Sequence, residues 1–315
     1  MSYINLLKNF YQRLHPSVRL SLRYFGITSL AKKILVFIKF GFKKNISLNN
    51  GLILNLENDH DYELRANYLT DILTNNFETQ KINLIKKVLS SGDKFIDIGC
   101  SFGLFSLIAS KIVGVNGEVL SFDPSETAIK TLIKNSQLND FHNIRTFNIA
   151  LGDSNKSINF FGQNYGGTTI KGNPQYNTSI GREIEMKKLD TILSSTNLDN
   201  LKFLKIDAEG SEFDIIKGAE NLIKNSKNLF ISLELGEMML ISAGSSIEEV
   251  IDFLISLGYD HFIDITNNEK MLLIDSSNFM NDLREKKFGS FFNPKVGFFC
   301  EVVAMRDDKF LEIVT

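Results

Sequence analysis

Acidic residues close one β-prone run after another in this chain. KFIDIGCSFGLF carries Asp97, then Gly99 and Gly103. VLSFDPS holds Asp123, KFLKIDAEGSE delivers Asp207 and Glu209, and NLFISLEL delivers Glu234. Carboxylates in such places attract cations, accept hydrogen bonds from hydroxyls, or act as general bases. They repel a dinucleotide pyrophosphate, and the turn CSFGLF has no Lys or Arg to offset them. The glycine spacing agrees, because Ser101 stands where the fingerprint G-x-G-x-x-G has its second glycine. S-adenosylmethionine, with a sulfonium and an ammonium against one carboxylate, suits an acid-rich pocket. Asp123 is then placed to accept from both ribose hydroxyls. Glycines at 99 and 103 are expected to let the backbone approach the amino-acid end of the ligand, where a side chain would collide.

The elements that must position these residues alternate. KFIDIG, GEVLSFD, NIRTFNIAL, KFLKID and NLFISLEL read as strands. LFSLIASKI, SETAIKTLIKNSQLN and SEFDIIKGAENLIKNS read as helices, the second with Ser125 as N-cap and Glu126 in its first turn. SIEEVIDFLISLG and HFIDIT add a helix and a strand, and VGFFCEVVAM closes the series. Such alternation predicts an α/β, doubly wound, mostly parallel sheet, with an antiparallel hairpin at its edge where two strands follow with little helix between them. Ligands of these sheets sit at the carboxyl ends of the strands, where Asp97, Asp123, Asn148 to Ala150, Asp207 with Glu209, and Glu234 fall. Residues 153–186 read as an irregular insert. Its hydroxyl- and amide-rich part, YGGTTIKGNPQYNTS, includes Tyr165 and Tyr176, which suit stacking on a sugar; a plain surface loop is the equal alternative.

Before this core lies a basic extension, set at residues 1–70, with the catalytic domain at 71–315. Residues 30–44 read as an amphipathic helix, and Asn50-Gly51 marks a hairpin. Asp and Glu are absent before Glu57, while nine Lys and Arg fall there, so a net charge of −2 hides a tail of +9 on a body of −11. Three readings of the tail compete: packing against the acidic body or a second subunit, docking on an anionic membrane, and nucleic-acid binding, the last disfavoured by the acidic body. An oligomer is compatible with the first. Two cysteines, no span-length apolar run and no secretory pattern point to the cytoplasm.

FIDIGCSFGLFS, SFDPS, NIALGD, LDTIL and above all LKFLKIDAEGSEFDIIKGAENLI resemble the FkbM-type S-adenosylmethionine-dependent methyltransferases over about Phe77 to Leu235. The resemblance implies a class I methyltransferase-like (Rossmann-like) sheet and methyl transfer to an acceptor, typically a sugar or polyketide hydroxyl. Carried over by position, it puts Asp97, Gly99, Ser101 and Gly103 around the methionine moiety and Asp123 on the ribose. Asn148 to Ala150 with Asp153 fall near the adenine, with a turn-capping acid as the alternative for Asp153. Asp207 falls by the methyl-bearing end, and Glu78 matches a Glu that members carry ahead of the first helix. Cys100 and Ser101 depart from the commoner Ala and Asn.

A hydroxyl is a poor nucleophile and gains from a general base. Glu209 is the first candidate, followed by Asp207 and Glu234; the alternative for Glu209 is a structural pair with Lys205. The four histidines lie outside these motifs, and no spacing of His, Cys and acids requires a metal, so none is expected. The leading expectation is O-methylation of a sugar in a glycan or glycolipid. Its rivals are a non-sugar acceptor (a secondary metabolite, a lipid or a protein) and a non-catalytic cofactor-binding assembly factor.

Overall fold

The computed structural model describes residues 45–48, 50–55, 72, 77–163, 166–173, 181–266, 272–275, 278–285, 291–293 and 297–306. The helix expected over 30–44, Tyr165 and Tyr176 lie outside them. The chain divides into two compact units, Met1–Thr79 and Gln80–Thr315, nine residues beyond the expected boundary. In the first unit, β1 (Asn45–Ser47) and β2 (Ile53–Asn55) pair antiparallel, as Asn50-Gly51 predicts. Gly51 takes φ +81°, and the Asn50 side chain accepts from the Leu52 amide at 3.1 Å.

The second unit is built on a nine-stranded sheet. Its parallel part runs β5 (Ile144–Phe147), β4 (Glu118–Phe122), β3 (Lys94–Ile98), β10 (Leu201–Ile206), β11 (Phe230–Gly236). These strands are apolar on both sides because helices cover both faces, so they read as continuous hydrophobic runs rather than alternating ones. Ile96, Leu120, Leu204 and Ile231 are all fully buried. α1 (Thr79–Val88) precedes β3; α2 (Leu104–Val113) packs on β3 and β4, and α3 (Glu126–Leu138) on β5. Ser125 caps α3 as expected, its hydroxyl accepting from the Ala128 amide at 3.3 Å.

The antiparallel strands gather on one side of the sheet. β15 (Gly297–Met305) runs between β11 and β12 (His261–Asp264), β13 (Leu272–Asp275) closes the edge, and β14 (Phe291–Asn293) pairs with β15. Seven of these strands therefore run in the order β5-β4-β3-β10-β11-β15-β12, with β15 inserted antiparallel between β11 and β12. This is the class I methyltransferase-like arrangement expected. Among the described residues, no helix is long and apolar enough to cross a membrane.

Three expectations need correction. The insert is not irregular: β6 (Ala150–Leu151), β7 (Lys156–Gln163), β8 (Gly166–Thr168) and β9 (Arg182–Lys187) form a second, four-stranded sheet ordered β6-β9-β7-β8. NIRTFNIAL is accordingly not one strand. It leaves the main sheet after Phe147, and Ala150 and Leu151 pair instead with Met186 and Lys187. The run SEFDIIKGAENLIKNS likewise splits into α5 (Glu212–Gly218) and α6 (Glu220–Asn225). Gly218 comes so close to Gly152 that an added Cβ would lie 2.0 Å from its carbonyl oxygen, which ties the break to the arrival of the second sheet. α4 (Leu189–Ile192) leads into β10; α7 (Glu237–Ser242) and α8 (Ile247–Ser256) follow β11, and α9 (Phe279–Arg284) precedes β14.

Candidate active site

Register does the first part of the assembly. Lys205 on β10 lies beside Asp97 on β3, and Asp97 beside Ser121 on β4. Asp97 is fully buried: Ser106 donates its hydroxyl to Oδ2 at 2.6 Å, and Lys205 Nζ stands 3.3 Å from Oδ1, an ion pair rather than an aligned hydrogen bond. Lys205 is 2% exposed and also lies 3.3 Å from Asp207 Oδ2, 3.1 Å from the Gly99 carbonyl and 3.4 Å from that of Ile98. Its ammonium sits 5.4 Å from the Phe105 ring centre. The ion pairs of Lys205 thus go to Asp97 and Asp207, where the sequence had offered Glu209 as a partner.

The turn after β3 is held from within. Gly99, Ser101 and Gly103 all take positive φ, +72°, +50° and +91°. A Cβ on Gly99 would lie 1.8 Å from the Asp207 carbonyl oxygen, and one on Gly103 would lie 2.2 Å from Leu132 Cδ1. The space beside both glycines is therefore filled by the protein itself. They let β3 approach β10 and α2 approach α3.

Asp123 ends β4 with both oxygens in use: the Ser101 amide donates to Oδ2 at 2.9 Å and the Ser125 amide to Oδ1 at 2.8 Å. Each oxygen keeps capacity for a further donor. Burial raises the Asp123 carboxyl to about 6, against the pull of those two amides and of Lys205. Asn148 donates to the Asp123 carbonyl at 3.0 Å, which turns the chain out of the main sheet toward buried Ala150. Asp153 lies further along; burial opposes its ionisation, but the hydroxyl of Ser154 at 2.9 Å and the ammonium of Lys217 at 3.6 Å hold it below its ordinary value. Glu78, at φ +39°, falls in the first unit, immediately before α1.

Glu209 sits at φ +53° in the loop between β10 and α5. Its carbonyl accepts from Thr168 Oγ1 at 3.1 Å and Asn173 Nδ2 at 2.7 Å, both from the second sheet and the turn after it. Thr169 and Ser211 join hydroxyls at 2.9 Å alongside. From the other side Glu212 caps the loop, accepting from the amides of Ala208 at 2.9 Å and Gly210 at 3.0 Å. Burial raises Glu212 to about 7, with those amides opposing.

Glu234 on β11 faces Glu301 on β15, and Glu301 pairs with buried Lys81 at 3.3 Å. Burial pushes the Glu234 carboxyl well above the usual range; Asp207 and Glu301 add to this and Lys81 opposes it.

Of the expected residues, the main sheet brings together Asp97, Gly99, Ser101, Gly103, Asp123, Asn148, Asp207, Glu209 and Glu234 at the carboxyl ends of its strands. Glu212, Thr168 and Asn173 were not assigned a role from sequence, and Lys205 entered only as a structural partner for Glu209. An acid in the first turn was the available signal for Glu212; Thr168 and Asn173 gave none, being 41 and 36 residues from the carbonyl they bind. Carboxylates outnumber cations at these strand ends, so the lining fits a positively charged ligand. Among the described residues, no cluster of three or more His, Cys, Asp and Glu is arranged to hold a metal.

A family model described as the methyltransferase FkbM domain matches residues 97–260, just over half of the chain. The chain belongs to the FkbM methyltransferase family. FkbM methyltransferases take their methyl group from S-adenosylmethionine, in agreement with the acid-rich lining. A ribosomal protein L11 methyltransferase of Acetivibrio thermocellus is 38% identical over 85 residues, 26% of each chain. Methyltransferase 1 of Beauveria bassiana is 24% identical over 149 residues, 41% of this chain and 59% of that protein. This chain thus matches about a quarter and three-fifths of the length of those two relatives. The METTL16 methyltransferase domain superposes with a TM-score of 0.46 at 12% identity, over 88% of this chain and 92% of that one.

Proposed function

We propose that this FkbM methyltransferase transfers the methyl group of S-adenosylmethionine to a hydroxyl of a sugar in a glycan or glycolipid. The observation that carries this reading is the placement of Glu209. A strained loop holds its backbone at the end of β10, fastened by Thr168 and Asn173 on one side and Glu212 on the other. Asp207 and Glu234 stand on the same and the adjacent strand. When bound, the cofactor supplies an electrophilic methyl for in-line displacement. The chain supplies orientation, and a carboxylate to take the proton of a weakly nucleophilic hydroxyl. Asp123 would hold the ribose, Asp97 and the 99–103 turn would support the methionine end, and Asn148 to Ala150 would border the adenine. In this reading residues 71–315 are the catalytic domain, working in the cytoplasm, with the basic N-terminal segment available for peripheral contact with an anionic membrane that carries a lipid-linked glycan.

Incubation with S-adenosylmethionine labelled in its methyl group, together with fractionated glycan, lipid and protein extracts, tests the proposal. Label is expected in the glycan or glycolipid fraction, and Glu209→Gln should abolish it while cofactor binding stays near normal. Label in a sugar-free lipid or a protein overturns the sugar acceptor. Loss of cofactor binding in the variant moves Glu209 out of the base role.

A further inference from the structure

Lys205 is a buried cation with no assigned part in the reaction. Four acceptors lie within reach of its three ammonium protons: Asp97 Oδ1 and Asp207 Oδ2 at 3.3 Å each, the Gly99 carbonyl at 3.1 Å and the Ile98 carbonyl at 3.4 Å. Asp97 and Ile98 belong to β3 itself, Gly99 to the turn after it and Asp207 to the loop after β10. The side chains of Lys205 and Asp97 are 2% and 0% exposed, whereas that of Asp207 is 24% exposed. Asp207 alone of the three is therefore accessible, and Lys205 is what joins it to the interior.

The surroundings make that joint directional. Phe105 lies against the ammonium at 5.4 Å from its ring centre, with the Lys81 ammonium 5.2 Å from the same ring. Ser106 and Ser121 fix the far side of Asp97 through hydroxyls 2.8 Å apart. Other charged or titratable groups of the neighbourhood are Cys100 and Asp123 toward β4, and Glu234 and Glu209 toward β11. A buried ammonium held by one sealed carboxylate and two carbonyls is a fixed anchor, and a charge-assisted pair to it restricts the rotamer of the second carboxylate.

We propose that Lys205 is a positioning residue for cofactor binding, which acts through Asp207 by tying its carboxylate to the Gly99 carbonyl and to Asp97. The inference rests on the S-adenosylmethionine reading of the cleft. It makes Asp207 and the glycine turn one mechanical unit rather than two separate ligand contacts.

A double-mutant cycle in cofactor affinity tests it, using calorimetric titration of the full chain with S-adenosylmethionine and S-adenosylhomocysteine, and thermal unfolding as the folding control. Lys205→Met is expected to weaken both ligands by about tenfold or more, as for loss of one charge-assisted contact. Lys205→Arg, which keeps the charge, is expected to recover part of that loss. On an Asp207→Asn background the same Met substitution is expected to cost no more than about twofold, because the group it positions is gone. Should Lys205→Met fail to fold, Lys205→Gln carries the same cycle, since it keeps a polar donor on a shorter side chain and removes the charge.

Equal losses on both backgrounds, or unchanged affinity in a folded variant with a lowered melting temperature, would reduce Lys205 to a packing residue and overturn the proposal. A wild-type chain that binds neither ligand overturns the cofactor reading itself, a result separable from either of these.

Discussion

Thr168, on the last-paired strand of the second sheet, donates its hydroxyl to the carbonyl of Glu209 at 3.1 Å across 41 residues of sequence. Through this bond and its companion from Asn173, a segment remote in sequence fixes the backbone of the proposed base. Thr168→Val keeps the shape and removes the donor, and also removes an acceptor for the Ile170 amide. The expected cost is about 1–3 kcal/mol in denaturant unfolding, the range for buried polar groups left unmatched. Cofactor affinity, measured by titration, should change less than methyl transfer.

Gly99 tolerates no side chain. At φ +72°, with the Asp207 carbonyl oxygen 1.8 Å from the position of a Cβ, Gly99→Ala must push the ends of β3 and β10 apart or change the turn. The expected destabilisation exceeds about 3 kcal/mol, because steric overlap adds to backbone strain. Thermal unfolding reads it directly, and a melting temperature near that of the wild type would refute the close approach.

If Asp123 holds the ribose as proposed, cofactor binding should depend on pH. The ionised form of Asp123 accepts from the amides of Ser101 and Ser125 and is the form suited to ribose hydroxyls. With the carboxyl at about 6 in the folded chain, affinity should rise between pH 5 and 7 and flatten above that. The linkage to folding has the opposite sense. The folded state binds this proton more tightly than the unfolded one, so the contribution of Asp123 to stability falls as pH rises from about 4 to about 6. Asp123→Asn should weaken binding about tenfold or more, since an amide donor now faces a backbone donor. It should also remove the Asp123 part of the pH slope, which titrations at several pH values will show.

Glu212 behaves alike at a higher pH. Its carboxyl, raised to about 7, makes the folded chain the tighter proton binder between the ordinary glutamate range and neutrality. Its contribution to stability is therefore greater at pH 5 than at pH 8. Glu212→Gln cannot accept from Ala208 and Gly210 with both oxygens, and should lower the melting temperature at either pH. The gap to the wild type should narrow as pH rises to 8. A gap that widens would mean that the ionised cap outweighs its burial.

Glu234 should tolerate amidation better than its neighbour in the loop. Burial beside Asp207 and Glu301 raises the Glu234 carboxyl well above its ordinary range, so Glu234→Gln, of similar shape, removes a charge that its surroundings disfavour. Methyl transfer should fall by less than about tenfold, whereas Glu209→Gln should abolish it. Parallel activity measurements on the two variants decide between the two bases.

Local pattern made the main sheet legible. Apolar runs that end in an acid predicted β3, β4, β10 and β11, and Ser125 announced the cap of α3 because a side-chain oxygen three residues ahead of an amide is a local device. The opposing charge of cofactor and cleft was equally readable, since it needs only the order of strands and the composition of their ends. Tertiary structure decided everything that depends on two distant segments meeting. It turned the 153–186 insert into a sheet, because those strands lack strong apolar periodicity and are stabilised by pairing with one another. It showed that Gly99 and Gly103 serve packing against Asp207 and Leu132. And it gave Lys205 to Asp97 and Asp207, because parallel register sets β3 beside β10 across more than a hundred residues, a distance over which sequence carries no geometric signal.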